Sequence, residues 1–298
     1  MKRTMKIGLS GLMSLALLGA CSSEDDATDT ASTNAQLNMN FTGLEDLGAD
    51  YNYEGWIIVD GSPISAGIFS VDADGNPSQT SFSLNADDLA AASTYVLTIE
   101  PSPDPDPSPS SVHILAGDFS SDMASLNTAH AAAIGSDFTS ASGSFILATP
   151  TDGGSMTDEL SGIWWLDPAG PSAGLELPVL AEGWAYEGWV VINGQALSTG
   201  TFTSASGSDE AATYSGTMAG PPFPGEDFLL NAPQGLSFPT DLSGTTAVIS
   251  IEPVPDNSPA PFTLKPLVAS IPAGAMDHTP YSMDNNAANT NPSGVVSR

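Results

Sequence analysis

Four glutamates recur in pairs along this chain. Glu54 lies in Tyr53-Glu54-Gly55-Trp56 and Glu187 in Tyr186-Glu187-Gly188-Trp189, while Glu100 precedes Pro101 and Glu252 precedes Pro253. Two carboxylates roughly 5–10 Å apart are what a glycosidase places around its substrate. The same residues also have a structural use. A carboxylate ahead of a proline-rich loop accepts hydrogen bonds from loop amides, which the prolines cannot satisfy. The structural use is preferred here: the chain is expected not to be an enzyme, and Glu100→Gln to cost stability. A carboxylate-dependent hydrolase is the third alternative.

Other candidate chemistry is thinner. Asp72, Asp74 and Asn76 alternate as a calcium loop can, but the glycine is misplaced for an EF-hand and no glutamate closes the loop. Asp-Gly-Asn is also a hairpin tip, and the second copy has Ser204-Ala205-Ser206-Gly207-Ser208 there. The turn is preferred, and calcium stays open. His113, His130 and His278 lack metal-ligand spacing. There is no Gly-x-Ser-x-Gly elbow and no glycine-rich phosphate loop. No catalytic residue, metal or cofactor is expected.

The pairs belong to a long internal repeat. The offset of 133 residues from Tyr53 to Tyr186 also carries Asp60-Gly61 onto Asn193-Gly194, and Ser65, Gly67 and Phe69 onto Ser198, Gly200 and Phe202. The offset then grows to 152, carrying Ile99-Glu100-Pro101 onto Ile251-Glu252-Pro253 and Pro103-Asp104 onto Pro255-Asp256. The second copy therefore holds about 19 extra residues between Phe202 and Val248, and Gly220–Gly225 reads as their loop. Each unit is large enough for its own core, unlike a solenoid repeat.

Residues 1–20 read as a leader. Lys2, Arg3 and Lys6 precede an apolar run too short to span a bilayer, then Leu18-Gly19-Ala20-Cys21. That ending resembles the bacterial lipobox, which implies acylation of Cys21, the lone cysteine. Acyl chains contribute about 0.8 kcal/mol per buried CH₂, so several hold firmly. Residues 21–36 read as a disordered acidic tether. Ser22-Ser23-Glu24-Asp25-Asp26 resembles the surface-export signal of Bacteroidetes lipoproteins, though a plain solvated linker explains it as well. The expected location is the cell envelope, lipid-anchored to the outer membrane on its periplasmic or surface side.

After the leader, Lys265 and Arg298 face 35 acidic residues. Repulsion excludes nucleic acid, whose phosphates need a basic patch, and flat docking on anionic lipid. Salt that shortens the Debye length below about 8 Å relieves this repulsion. The melting temperature is therefore expected to rise from low to molar salt; a fall would contradict this.

Asp60-Gly61 and Asn193-Gly194 are hairpin turns between strands at 55–59 and 64–71, and at 189–192 and 197–203. Gly67 and Gly200, inside the returning strands, predict a bulge or a close neighbour, for which the rings of Trp56 and Trp189 are candidates. Further strands fall at 95–99, 112–115, 144–148, 163–166, 247–251 and 262–267. A helix is expected over 122–134, capped by Ser121 and carrying His130, with a single turn at 86–92. The fold class is all-β with little helix: two tandem antiparallel β-sandwich-like domains, at 37–155 and 156–280, and a flexible tail at 281–298. Trp56 and Trp189 belong in the core. Alternation puts Trp164 and Trp165 on opposite faces, so one is expected at an inter-domain groove or in solvent.

The run Gly55–Gly61, Ser65–Phe69, Asp72–Gly75 and Leu97–Pro101, closing at His113–Gly117, resembles the extracytoplasmic domain of RskA-type anti-sigma-K factors. The resemblance covers about 52–117 and, more loosely, 186–269. Its motif residues Tyr53, Glu54, Gly55, Trp56, Gly67, Glu100, Pro101, Tyr186, Glu187, Gly188, Trp189, Gly200, Glu252 and Pro253 are structural on this reading. It implies a small β-rich binding or sensing domain outside the cytoplasm. The family's cytoplasmic sigma-binding segment is not seen, and a lipid anchor stands where the family has a transmembrane helix. Direct contact with a sigma factor is therefore not expected. The partners expected are the membrane through the anchor, and an envelope regulatory protein or a glycan. The alternative is an adhesive, glycan-binding or structural surface lipoprotein.

Overall fold

The computed structural model describes residues 33–170, 172–256 and 258–298; the expected leader, Cys21 and most of the tether lie outside them. The first half supplies β1 (Asn34–Thr42), β2 (Tyr51–Val59), β3 (Ser62–Phe69), β4 (Ser81–Asn85), α1 (Ala86–Ala91), β5 (Thr94–Pro101), β6 (His113–Ser120) and β7 (Met123–Leu126). Then come β8 (Ser142–Leu147), β9 (Gly162–Trp164), β10 (Leu166–Asp167), β11 (Ser172–Ala173), β12 (Leu175–Glu176), β13 (Trp184–Ile192) and β14 (Gln195–Phe202). The chain continues through β15 (Gly225–Asp227), β16 (Thr246–Pro253), β17 (Leu267–Ser270), β18 (Tyr281–Ser282), β19 (Asp284–Asn285), α2 (Ala287–Thr290) and β20 (Ser293–Ser297).

The fold is all-β and antiparallel. The two copies build the same meander, in the orders β3-β2-β5-β6 and β14-β13-β16-β17. Both hairpin turns form as expected: Asp60 and Gly61 have φ of 50° and 79°, Asn193 and Gly194 of 53° and 83°. A type I′ turn needs that sign at both positions. Each returning strand carries a bulge opposite the same pair, Gly55/Trp56 in one copy and Gly188/Trp189 in the other. The neighbours that require glycine there are not the repeated tryptophans. A Cβ on Gly67 would lie 2.1 Å from the Phe82 ring, and one on Gly200 would lie 2.7 Å from the Asp209 carboxylate.

The meanders continue into rolled sheets. In the first, the order β3-β2-β5-β6-β7-β20-β1-β4 brings β3 and β4 back together. In the second, β19 pairs with β17 and β18 with β8, so the chain turns the corner into β8-β9-β15, and β15 meets β14. The strand that should close each roll comes from the other half. β8 follows β7 in sequence yet pairs with β9, β12 and β18. β20 follows the second roll yet lies between β1 and β7.

This exchange overturns the expected domain boundaries. Residues 33–298 form one compact unit, and buried side chains of both copies, such as Tyr53, Leu97, Tyr186 and Ile249, belong to one hydrophobic cluster. A cut near 155 would separate β8 from β9, its partner. The expected flexible tail at 281–298 is ordered as β18, β19, α2 and β20, with Val296 fully buried. The tether is shorter than expected, because β1 pairs with β4 from Asn34 onward.

The helix expected over 122–134 is absent. Ser121 adopts φ of 56° and turns the chain into β7, whose Ala124 and Leu126 point inward with period two. Pairing with β6 and β20 outweighs a weak helical propensity. His130 instead follows a turn, its Nε2 3.4 Å from Asp118. The turn expected at 86–92 is α1, with the Asn85 side chain accepting from the Asp87 and Asp88 amides. Phe262–Leu264 are not strand; extended pairing resumes only at Leu267. The 220–225 segment is more than a loop, since Phe223 is buried beside Trp164 and β15 pairs with β9.

Trp165 fills the second roll, and Gly188 allows it to. A Cβ on Gly188 would stand 2.5 Å from the Trp165 ring and 2.4 Å from Thr199 Oγ1. Gly188→Ala is expected to destabilise the protein by about 1–3 kcal/mol, the usual range for overpacking, measured by chemical denaturation. An unchanged midpoint would contradict the packing described.

Candidate functional site

The duplicated glutamates sit on the face of each meander that turns away from its roll. Glu54 and Trp56 lie on β2, facing Thr98 and Glu100 on β5, and Glu187 and Trp189 on β13 face Ser250 and Glu252 on β16. Period-two alternation places each set on one side. The proline-rich loop after β5 or β16 then folds back over it.

A single hydrogen-bond relay occurs twice. Trp56 Nε1 donates to Thr98 Oγ1 at 2.9 Å, and Thr98 donates to Glu100 Oε1. Trp189 Nε1 donates to Ser250 Oγ at 2.7 Å, and Ser250 donates to Glu252 Oε1. Across the bulge, Ser65 donates to Glu54 Oε1 and Ser198 to Glu187 Oε1. The loops close on the same carboxylates: the Ser110 amide donates to Glu100 Oε1 at 2.8 Å, and the Phe262 amide to Glu252 Oε1 at 2.9 Å. This is the structural use anticipated for Glu100 and Glu252. Sequence reasoning noted that Ser65 and Ser198 recur, but not their role, and it passed over Thr98 and Ser250.

Glu100→Ala strips the acceptor from a buried threonine hydroxyl and a loop amide, and is expected to cost about 2–3 kcal/mol. Glu100→Gln keeps one carbonyl oxygen and is expected to cost less. Equal midpoints for wild type and Glu100→Ala in urea unfolding would contradict the relay.

Tyr53 and Tyr186 are buried, and each hydroxyl donates to the carbonyl eight residues earlier, Glu45 at 3.0 Å and Pro178 at 2.6 Å. Gly55 gives room to Tyr95, whose hydroxyl would stand 2.1 Å from a Cβ there. The bonds before Pro103 and Pro255 are both cis.

In the second copy the carboxylates draw closer. One ligand atom each from Glu187, Glu252 and Asp256 lie within 4.8 Å of one another. Burial, with the charge of Asp256, pushes Glu187 up to about 7 against the opposing Ser198 hydrogen bond. Burial pushes Glu252 up to about 8, and the Asp256 and Glu187 charges add to it. In the first copy burial also raises Glu54, and the charges of Glu100 and Asp104 add. That trio is not gathered within the same span among the described residues.

Two other expectations resolve here. Asp72 serves its own turn, with Oδ1 accepting from the Asp74 amide at 3.0 Å and the Asn76 amide at 2.8 Å. Those bonds lower its carboxyl below the usual range. Trp164 and Trp165 do lie on opposite faces, yet neither reaches solvent: they are 4 % and 0 % exposed. Trp164 Nε1 donates to Asp227 at 2.8 Å, and Trp184 is also buried.

The family model for the C-terminal domain of anti-sigma-K factor rskA matches residues 18–111. The match runs through β5 and ends just before β6, so the second copy lies outside it. No curated protein and no solved structure matches the chain. No helix of the described residues is long and apolar enough to cross a membrane.

Proposed function

We propose that this chain is a non-catalytic, lipid-anchored envelope protein whose duplicated anti-sigma-factor-like domain binds or senses a partner outside the cytoplasm. The observation that carries this reading is the match of residues 18–111 to the rskA C-terminal domain. The second copy, with the same meander and the same relay, supports treating it as a second domain of that kind. The lipobox-like Leu18-Gly19-Ala20-Cys21 supplies the attachment. The repeated glutamates support a non-catalytic reading, since serine and threonine hydroxyls and loop amides already engage them.

The competing reading is an adhesive, glycan-binding or structural surface lipoprotein, and its glycan-binding form needs an accessible tryptophan. All five are buried, with Trp56, Trp184 and Trp189 at 3 %, 3 % and 2 % exposure beside Trp164 and Trp165. The signalling reading therefore stands ahead. Cross-linking the acylated protein on intact cells, followed by capture and identification of what is joined to it, tests the two. A membrane regulatory protein in stoichiometric amount is the expected result. Recovery of surface polymer or other lipoproteins alone would contradict it.

A further inference from the structure

We propose that Glu187, Glu252 and Asp256 form a site for one divalent cation of the calcium type, where β13 and β16 meet the proline-rich loop. It adds a ligand to the second copy and does not depend on the signalling reading.

The three residues lie 133 and 152 positions after Glu54, Glu100 and Asp104, but only the second set is gathered so that its ligand atoms lie within 4.8 Å among the described residues. An acidic cluster alone is ordinary in so acidic a chain. This one combines ligand atoms gathered within 4.8 Å with an orphaned oxygen, a pairing the Glu226 oxygen lacks among the described residues. Glu187 is 5 % exposed, its Oε1 accepts from Ser198, and its Oε2 is buried with no hydrogen-bond donor. A buried carboxylate oxygen without a donor is costly, and a proton there would itself need an acceptor. A cation between the three carboxylates satisfies that oxygen directly.

Among the described residues no cationic side chain pairs with Glu187 or Glu252. Lys265 acts on Glu252 from a distance and on Glu45 more strongly. Glu252 is fixed by Ser250 and Phe262, so the strand ends present two held carboxylates. Asp256 is exposed on the loop, and a cleft lined by Trp184, Glu187, Thr201, Glu252 and Asp256 gives an ion a way in from solvent. All-oxygen, irregular and partly hydrated ligation suits calcium, whereas magnesium demands near-octahedral geometry. Outside the cytoplasm such modules work at Kd values of about 10⁻⁴–10⁻³ M.

The test uses the full-length protein, titrated calorimetrically with CaCl₂ at pH 7.5, with melting curves in calcium, in magnesium and in EDTA at matched ionic strength. One calcium per chain is expected, with a melting temperature raised by about 5 °C at saturation. Asp256→Asn removes a charge that repels Glu187 and Glu252, so it is expected to melt at or slightly above wild type in EDTA, to weaken calcium at least tenfold and to lose the shift. Asp104→Asn is expected to behave as wild type. The proposal is overturned if wild type shows neither heat nor shift, if magnesium gives an equal shift, or if Asp256→Asn keeps the full response. The last result would mean diffuse screening of the acidic surface. Melting that follows pH but not calcium would also overturn it, leaving a cluster that holds only protons.

Discussion

Deleting Pro292–Arg298 is expected to unfold the first roll, although most of that roll is built from residues before 127. β20 is an interior strand, joined to β1 from Asn38↔Ser297 to Thr42↔Ser293 and to β7 from Gly294↔Leu126 to Ser297↔Met123. Removing it strands two rows of buried backbone groups and empties the place of the fully buried Val296. It also removes Arg298. That guanidinium donates to the carbonyls of Leu89 and Ala92 at 2.6 and 2.8 Å, closing the end of α1, and to the Ser121 carbonyl at 3.0 Å. Its carbon lies 4.4 Å from the centre of the Phe119 ring. The summed loss is comparable with the roughly 5–15 kcal/mol that keeps an ordinary domain folded. Circular dichroism and limited proteolysis of the truncated chain should show cleavage inside residues 33–126. Adding a peptide of residues 291–298 in trans should restore protection. A truncated chain that melts like the full one would show that the exchange of strands carries no weight.

Melting temperature is expected to fall as pH rises from 5.5 to 8.5 in EDTA. Most of the groups responsible lie in the longer second copy, Glu187 and Glu252 among them. Burial raises Asp209 to about 7, with the Glu226 charge adding and the Gly225 amide opposing. Burial also raises Glu226, which faces Asp227 and Tyr214 and accepts from Ser215. Asp227 is raised by burial despite donors from Thr151 and Trp164, and it feels Asp152. A carboxyl whose folded pKa lies above its unfolded value binds a proton more tightly when folded. Its contribution is fully present below the unfolded value near 4 and is lost as pH climbs through the folded value, about 7 for Asp209. For Asp209 the full shift corresponds to about 4 kcal/mol, and partial solvent access halves this to about 2. Only the part of this lost above pH 5.5 counts, about 1 kcal/mol, so Asp209 alone lowers the melting temperature by about 2–4 °C for a unit of this size, and the other raised carboxyls add in the same direction. Exposed carboxyls held below their usual range by local hydrogen bonds, such as Asp118 and Asp137, act oppositely, and their stabilisation is lost only as pH falls below 4. Stability should therefore peak near pH 4. A melting temperature flat or rising up to pH 8.5 would contradict these environments.

What the residues disclose depends on how local the cause is. Asp60-Gly61 and Asn193-Gly194 force their turns within four residues, so both hairpins were legible. The structural use of Glu100 and Glu252 was legible because proline removes donors from the neighbouring loop. β20 was not, since Ser293-Gly294-Val295-Val296-Ser297 is short and its partners lie more than 160 residues away. A signal was nonetheless present. Ser142-Gly143 at the start of β8 recurs as Ser293-Gly294 at the start of β20, 151 residues on, close to the repeat offset. Likewise Gly43-Leu44-Glu45 recurs as Gly174-Leu175-Glu176. Extending the repeat to those positions would have shown that the segments on both sides of the meanders also correspond. The segment 122–134 misled because Met123 and Leu126 suit a helical face, whereas pairing with β6 and β20 makes Ala124 and Leu126 the inward pair. The gathering of Glu187 with Glu252 and Asp256 depends on how one loop settles over one sheet, and spacing does not encode it.

The proposed function requires a molecule tethered outside the cytoplasm, and the state of Cys21 decides that. Mass spectrometry of the N-terminal peptide from the membrane fraction is the direct measurement. The account predicts a mature chain beginning at Cys21, acylated on thiol and amine, with Cys21→Ser leaving the protein uncleaved or released. A chain that begins elsewhere, or begins at Cys21 without lipid, would contradict it.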